Sequence, residues 1–184
     1  MHSFLTLTSN LQEALAQNCT LTSVLMSNNL FDESITAFNL FNRVLTNVDI
    51  SNDLINDRGL KNLIIGVQQP DSVLISLNLA SNPISSTGLL DLFTALLTNR
   101  TLNSLNLRAA YLDNRAAYAL AALLKQNKTL THLEVNASHT LDGLAAITRA
   151  ISSNKTLNSV ELYENDRSCS IVISHSMARN RLMM

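Results

Sequence analysis

A tetrapeptide of the form Asn-x-Thr-Leu recurs along this chain, and a strand-like alternation of apolar residues follows each copy. The copies begin at Asn18, Asn99, Asn127 and Asn154. Self-similarity at a fixed spacing is typical of repeat architectures, in which each unit stacks on its neighbours. The chain is therefore expected to fold as a solenoid, and its function has to be sought on exposed faces rather than in a single pocket.

The eleven-residue template Leu-x-x-Leu-x-Leu-x-x-Asn-x-Leu fits the chain six times. The six copies begin at Leu21, Leu45, Leu74, Leu102, Leu130 and Leu157. Successive copies are 24, 29, 28, 28 and 27 residues apart, a register that a random apolar-rich chain would not hold. We therefore predict one domain over residues 1–184, with six strand–helix repeats in residues 19–166. A partial copy of the template in residues 1–18 is interpreted as an N-terminal capping unit.

Each template copy precedes apolar residues at intervals of three, four and seven, the period of an amphipathic helix. Side chains able to cap a helix mark the predicted helix starts, and these are Asp32, Asp57, Ser85 or Ser86, Asp113 and Thr140. One unit is thus strand, turn, helix and return. It cannot fold alone, because ordering about 28 residues costs more than its few buried Leu and Val side chains recover. Stacking on neighbouring repeats supplies the remaining stabilisation.

Asparagines have two predicted structural roles. The ninth template position holds Asn29, Asp53, Asn82, Ala110, Ser138 and Asn165. Its side chain is expected to bond the backbone of the turn that leaves the strand, with Asp53 as a substitute. Ala110 and Ser138 depart from the pattern, so their repeats need another donor. The Asn of Asn-x-Thr-Leu is expected at the helix-to-strand return, in a left-handed turn.

Residues 167–184 are predicted to comprise the last helix and the C-terminal end, because Ile173 and Met177 align with Ile147 and Ile151 of the preceding helix. No polar residues obviously cover the apolar side chains at this end, although solenoids usually have a polar cap. A degenerate cap is favoured. The alternatives are a fragment of a longer chain and homodimerisation through the C-terminal end.

On these features the chain resembles leucine-rich repeat proteins of the ribonuclease-inhibitor subtype, over roughly residues 18–166. The supporting features are the period of about 28 residues, the full helix in each repeat and the Asn-x-Thr-Leu lead-in. The resemblance implies a right-handed α/β solenoid, or horseshoe, with a parallel β-sheet on the concave side and α-helices on the convex side. It also implies protein binding through the concave sheet and its rim loops. Related proteins include GTPase activators, actin-capping proteins and secreted bacterial effectors, and the small size and Asn/Ser richness favour the effectors.

Composition argues against several functions. The net charge is −1 and only 15% of residues are charged, so no basic stripe is available for nucleic acid. No apolar run reaches the ~18 residues of a membrane span, and the first residues lack the features of a signal peptide. Cys19 and Cys169 are about five strand spacings apart, too far for a disulfide. Two free thiols fit a reducing compartment, so we expect the cytoplasm, or a host cytosol for an effector.

Template positions three, five and seven are expected to line the concave face. The predicted partner-binding residues there are Asp49, Asn106, Arg108, His132, Glu134, Asn136, Glu161 and Tyr163. Arg108 and Tyr163 are the predicted anchors, because interfaces draw most of their energy from a few Tyr, Trp and Arg side chains. Glu134 and Glu161 would favour a partner that presents a basic patch. The alternative interpretation is a set of solvated strand faces with no partner.

His132 and Glu134 share a strand face but lack a third convergent ligand, so we predict no metal, no cofactor and no catalytic residue. The predicted function is a non-catalytic module for protein–protein interaction, with an unknown partner. Three alternatives remain. The chain could regulate a small GTPase with Arg108 near the nucleotide, act on host proteins as a bacterial effector, or be a solenoid without its own ligand.

Overall fold

The computed structural model describes residues 13–15, 17–31, 44–138 and 140–163, together with the backbone of residues 170–174. Within these residues one sheet contains seven strands in sequence order. The first six are β1 (Ser23–Leu25), β2 (Asn47–Asp49), β3 (Ser76–Asn78), β4 (Ser104–Leu107), β5 (His132–Asn136) and β6 (Ser159–Tyr163). All six run parallel to their neighbours. A parallel sheet built from consecutive strand–helix units confirms the predicted α/β solenoid.

The pairing register follows the template. Residues at the fourth template position lie opposite one another along the whole sheet, and they are Val24, Val48, Leu77, Leu105, Leu133 and Val160. Leu77, Leu105 and Leu133 are each 1% exposed, so this row faces the core. Because side chains alternate across a strand, the third and fifth positions must face away from the core.

Residues 13–15 and 17 are helical, and four complete helices follow: α1 (Asp57–Val67), α2 (Ser86–Leu96), α3 (Asn114–Gln126) and α4 (Leu141–Ser153). Ser85, Asp113 and Thr140 cap their helices as predicted. The cap of α1 is Asn56, whereas Asp57 occupies the first turn. The Asp57 carboxylate instead accepts a hydrogen bond from the Ser85 N–H of the next repeat at 2.8 Å. The predicted cap Asp32 lies outside the described residues.

The buried faces of strands and helices form one continuous core that extends from Leu15 to Leu162. Helix side chains such as Leu63, Leu92 and Leu120 are fully buried. Burial of each such side chain contributes about 2 kcal/mol, and neighbouring repeats share these contacts. These contacts fix the position of the sheet, whose other face is exposed to solvent.

The asparagines of Asn-x-Thr-Leu do not take the left-handed conformation that we predicted. Asn127 has φ −69° and ψ 137°, and Asn154 is similar. The Asn127 Oδ1 accepts hydrogen bonds from the N–H groups of Thr129 and Leu130 at 2.9 and 2.8 Å. Its Nδ2 donates to the Leu96 carbonyl of the preceding repeat at 2.9 Å. The geometry that these asparagines share is therefore an Asx turn that also caps the neighbouring helix. This turn requires an extended backbone at the asparagine.

The side chain at the ninth template position bonds the backbone of the turn that leaves the strand, as predicted. Asn82 Nδ2 donates to the carbonyls of Ile50 and Leu79 at 2.8 and 3.0 Å, and its Oδ1 accepts from the Ile55 N–H at 3.1 Å. Ala110 has no such group, but its own N–H donates to the Leu107 carbonyl at 3.1 Å. In that repeat a backbone donor thus replaces the side chain.

The prediction of a last helix in residues 167–184 is wrong for Ser170–Ser174. This segment is a strand, β7, that pairs antiparallel with β6. Three consecutive β-branched residues favour an extended pleated conformation. Pairing also satisfies the backbone groups that β6 would otherwise leave at the sheet edge. The alignment that placed Ile173 on a helix ignored both factors.

Other predictions concern the ends of the chain. Residues 1–12 of the predicted N-terminal cap lie outside the described part of the chain, as does Cys169. Cys19 is an exposed free thiol. Among the described residues, no helix has the length and apolar character that crossing a membrane would require.

Candidate protein-binding surface on the sheet

The fifth template position forms a row of solvent-facing side chains across the sheet, which we name the central row. Its members lie opposite one another in register and are Leu25, Asp49, Asn78, Asn106, Glu134 and Glu161. Leu25 is 78% exposed, and the other five are half-buried. Across the sheet the row is therefore apolar at β1, acidic at β2, neutral at β3 and β4, where it carries amides, and acidic again at β5 and β6.

A shallow groove of about 280 Å³ follows the central row from β1 to β5. It is lined by Ser23, Leu25, Asn47, Val48, Asp49, Ser76, Leu77, Asn78, Ser104, Asn106 and Glu134. Three predicted binding residues, Asp49, Asn106 and Glu134, are among them. Two of these lining residues are acidic and none is basic, so the groove favours cationic or hydrogen-bond-donating groups.

Two amides hold the carboxylates of the groove in place. Asn78 Nδ2 donates to Asp49 Oδ2, and Asn106 Nδ2 donates to Glu134 Oε2, each at 2.9 Å. The amide oxygens are fixed in turn, because they accept the N–H groups of Ala80 and Arg108 at 3.1 and 2.9 Å. These backbone bonds turn each NH₂ group toward its carboxylate. The acidic groups are consequently ordered before any partner arrives.

Tyr163 joins a second cluster at the β6 end. Its hydroxyl donates to Glu161 Oε2 at 2.6 Å and lies 3.3 Å from Glu134 Oε2. The Arg108 guanidinium lies over the Tyr163 ring, 4.6 Å from the ring centroid. The hydrogen bond to Glu161, followed by burial and the negative charge of both carboxylates, raises the pKa of Tyr163 to about 12.

This cluster relieves a charge conflict. Glu134 and Glu161 lie directly opposite each other in the register of β5 and β6, a position where like charges destabilise a sheet. The Tyr163 hydroxyl and the cation of Arg108 offset that repulsion. The structure thus brings together four of the predicted residues, and their role in binding stays a prediction.

The two other predicted residues have different surroundings. Asn136 Oδ1 accepts the Ala109 N–H at 2.8 Å, so Asn136 supports the loop after β4. His132 is exposed, and its Nδ1 lies 2.8 Å from Thr131 Oγ1. Neither lines the groove. Among the described residues, no three His, Cys, Asp or Glu side chains are grouped as metal ligands would be.

In the N-terminal half of the groove the sequence interpretation selected Asp49 as a binding residue, but not Leu25, Asn47 or Asn78. It emphasised the charged residues of β5 and β6. Leu25 had a detectable signal, because it is the one apolar residue at the fifth template position. The involvement of Asn78 depends on a side-chain hydrogen bond between repeats, which sequence does not show.

No family model matches this chain. It is 29% identical over 115 residues to leiomodin-1 of Mus musculus, a match that covers 61% of this chain and 19% of that protein. Human leiomodin-1 is 32% identical over 108 residues, with 56% of this chain and 18% of the relative covered. The chain thus spans less than a fifth of the length of these curated relatives.

Two solved structures have a similar fold. A structure described as leiomodin-1 actin-binding site 2 has a TM-score of 0.65 and 22% identity, and covers 96% of this chain and 92% of the other. The C-terminal domain of Caenorhabditis elegans tropomodulin has a TM-score of 0.66 and 18% identity, with 80% and 92% covered. The chain therefore has the leucine-rich-repeat-like α/β fold of these two domains.

Proposed function

We propose that this chain is a non-catalytic protein-binding module and that actin is the first partner to test. The observation that carries the proposal is the similarity, over 96% of the chain, to a leiomodin-1 domain whose description names an actin-binding site. Identities of 29–32% to leiomodin-1 point the same way. The proposal places the partner on the concave sheet face and the adjacent rim loops.

The geometry of the sheet face supports a binding role. A solvent-facing row of ordered carboxylates, amides and one exposed Leu side chain suits the recognition of a complementary protein surface. Arg108 and Tyr163 are residue types that anchor interfaces. Asp49 and Glu134 are held by amide donors, an arrangement that suits electrostatic recognition. We propose the cytoplasm as the compartment, in agreement with an exposed free thiol at Cys19.

The comparisons do not support the other interpretations of the sequence. Neither the ribonuclease-inhibitor subtype nor a bacterial effector finds support among the similar proteins, and the same holds for a regulator of small GTPases. Homodimerisation through the C-terminal end stays a prediction. The strand β7 already pairs with the edge of β6, so a homodimer at this end could not form through that edge.

Direct binding assays test the proposal. The chain should sediment with actin filaments or change the anisotropy of labelled actin monomers. The double variant Glu134→Lys with Glu161→Lys should weaken that binding by about tenfold or more, because reversed charges at an interface cost over 1.4 kcal/mol. A matched control, Asp91→Lys with Asp142→Lys, reverses two exposed charges on helices α2 and α4.

The outcomes separate the parts of the proposal. If the native chain binds neither filaments nor monomers, actin is not the partner. If the sheet-face variant binds actin as tightly as the helix-face control, the β5–β6 end of the sheet is not the binding site. Thermal unfolding of each variant shows whether the fold is preserved.

A further inference from the structure

The central row has a regular spacing that a bound segment would have to match. Adjacent strands are about 4.8 Å apart, so the carboxylate-bearing residues Asp49 and Glu134, three strands apart, are separated by about 14 Å. Leu25 lies one strand before Asp49 and about 19 Å from Glu134. The pairing register keeps all three in one row across the sheet.

Both carboxylates retain capacity for a further donor. A carboxylate has about four lone-pair sites. Asp49 accepts from the N–H and hydroxyl of Ser51 and from Asn78. Glu134 Oε2 accepts from Asn106, and the Tyr163 hydroxyl, which donates to Glu161, lies 3.3 Å from the same oxygen. Each can therefore accept one more hydrogen bond from a basic side chain, without losing those that order it.

The groove is shallow and open to solvent, with a volume of about 280 Å³. An extended segment inserts only alternate side chains, so it suits a shallow groove. Its rise of about 3.4 Å per residue places residues four apart about 14 Å from each other. Residues separated by an even number also project to the same side.

We propose that the central row binds an extended segment of a protein partner with the pattern apolar-x-basic-x-x-x-basic. The apolar side chain packs on Leu25, and the two basic side chains meet Asp49 and Glu134. The six steps from the first to the seventh residue of this pattern span about 20 Å in extended form, which matches the distance of about 19 Å from Leu25 to Glu134. This inference rests on the proposed function, because it requires the concave face to take a protein partner.

The segment ends at Glu134 because the groove ends there. The next carboxylate in the row, Glu161, does not line the groove and accepts the Tyr163 hydroxyl at 2.6 Å. The structure therefore favours two basic residues rather than three.

Two peptides of identical composition test the spacing. The matching peptide is Leu-Ser-Lys-Thr-Ser-Thr-Lys, with its basic residues four apart. The permuted peptide is Leu-Ser-Lys-Thr-Ser-Lys-Thr, in which they are three apart and project to opposite sides. Titration of the isotope-labelled chain, followed by backbone amide NMR, should shift resonances of β1, β2 and β5. The permuted peptide should bind about two- to fivefold more weakly, the usual effect of one exposed ion pair.

Variants then assign the discrimination to the carboxylates. Asp49→Asn or Glu134→Gln should make the two peptides bind equally, because discrimination requires both charges. Asp91→Asn removes an exposed charge on α2 and should leave the discrimination unchanged. Leu25→Ser should weaken both peptides by the same factor, since it alters the apolar contact alone.

The inference would be overturned if both peptides bound the native chain with equal affinity, or if the amide resonances of the central row did not shift at about 1 mM peptide. Actin binding by the same variants separates this failure from failure of the proposed function. If the Asp49→Asn and Glu134→Gln variants bind actin with unchanged affinity, the proposed function stands and the inferred spacing is overturned. Discrimination between peptides without actin binding supports the spacing and removes actin as the partner.

Discussion

Replacing Asp53 with Asn should stabilise this fold, because the carboxylate occupies a site built for an amide. Asp53 is 3% exposed. Its Oδ1 accepts the N–H groups of Asn29 and Phe31 at 2.7 and 3.2 Å. Its Oδ2 is buried and has no hydrogen-bond partner among the described residues. At the same template position Asn82 uses Nδ2 to donate to two carbonyls.

The magnitude follows from the single unpaired oxygen. A buried polar atom without a partner costs about 1–3 kcal/mol, and an amide at Asp53 would turn that atom into a donor. For a chain of this size, 1 kcal/mol raises the melting temperature by about 2–4 °C. We therefore expect Asp53→Asn to melt roughly 2–12 °C higher at neutral pH. Asp91→Asn, on an exposed helix face, should change stability by less than about 0.5 kcal/mol.

The effect should depend on pH. Burial raises the pKa of Asp53 above its ordinary value of 3.8, and nearby Asp49 adds to this against the lowering effect of the backbone N–H groups. A carboxyl whose pKa is raised on folding stabilises the protein below its unfolded pKa and loses that contribution as pH rises through the folded pKa. The native chain should therefore lose stability as the pH rises from the unfolded pKa through the folded pKa of Asp53, and the Asp53→Asn variant should lose less.

Circular dichroism melts of both proteins between about pH 3.5 and pH 8 test this reasoning. The difference in melting temperature should be small at the acid end, where the protonated carboxyl can donate, and should grow toward neutral pH. Equal stability at pH 7, or a difference that does not change with pH, would refute the assignment of Asp53 as an unpaired carboxylate.

Three further predictions concern other contacts between and within the repeats. Gly143→Ala would bring a methyl group into overlap with Ser138 Oγ, so we expect a loss of about 1–3 kcal/mol in a denaturation curve, partly recovered by adding Ser138→Gly. Asn127→Ala leaves buried backbone groups of two repeats unpaired, and urea unfolding should show a loss of at least about 2 kcal/mol. Tyr163→Phe should remove the component near pH 12 from an ultraviolet phenol titration, because the hydrogen bond to Glu161 raises that pKa. In the native chain, stability should fall as pH rises from about 10 to 12, because the folded state holds the phenol proton more tightly.

Much of the architecture could be predicted from the order of residues. The template placed Leu77, Leu105 and Leu133 in the core and put Glu134 and Glu161 on the opposite face of the strands, and the register confirms both. The reason is geometric, since alternation within a strand and a constant repeat length leave little freedom in the pairing. The six parallel strands of the template were likewise predictable without coordinates.

Predictions that depended on competition between local conformations were less accurate. Ser170–Ser174 aligned with a helix but forms a strand, because the edge of β6 offers hydrogen bonds that an alignment does not represent. Asn127 was expected in a left-handed turn, yet its Oδ1 takes two backbone N–H groups and needs an extended backbone. The hydrogen-bond partners of Ser170–Ser174 come from another strand of the fold, whereas those of Asn127 Oδ1 lie two and three residues along the chain.

The sequence by itself determined the stack of strand–helix repeats and which side chains face solvent, because both follow from periodicity. Only the tertiary structure decided which of those side chains cooperate. The reach of Arg108 across β5 to the ring of Tyr163 depends on rotamers, and so does the hydrogen bond from Asn106 to Glu134. The groove and the unpaired oxygen of Asp53 likewise arise from the spacing between repeats, a distance that residue order does not encode directly.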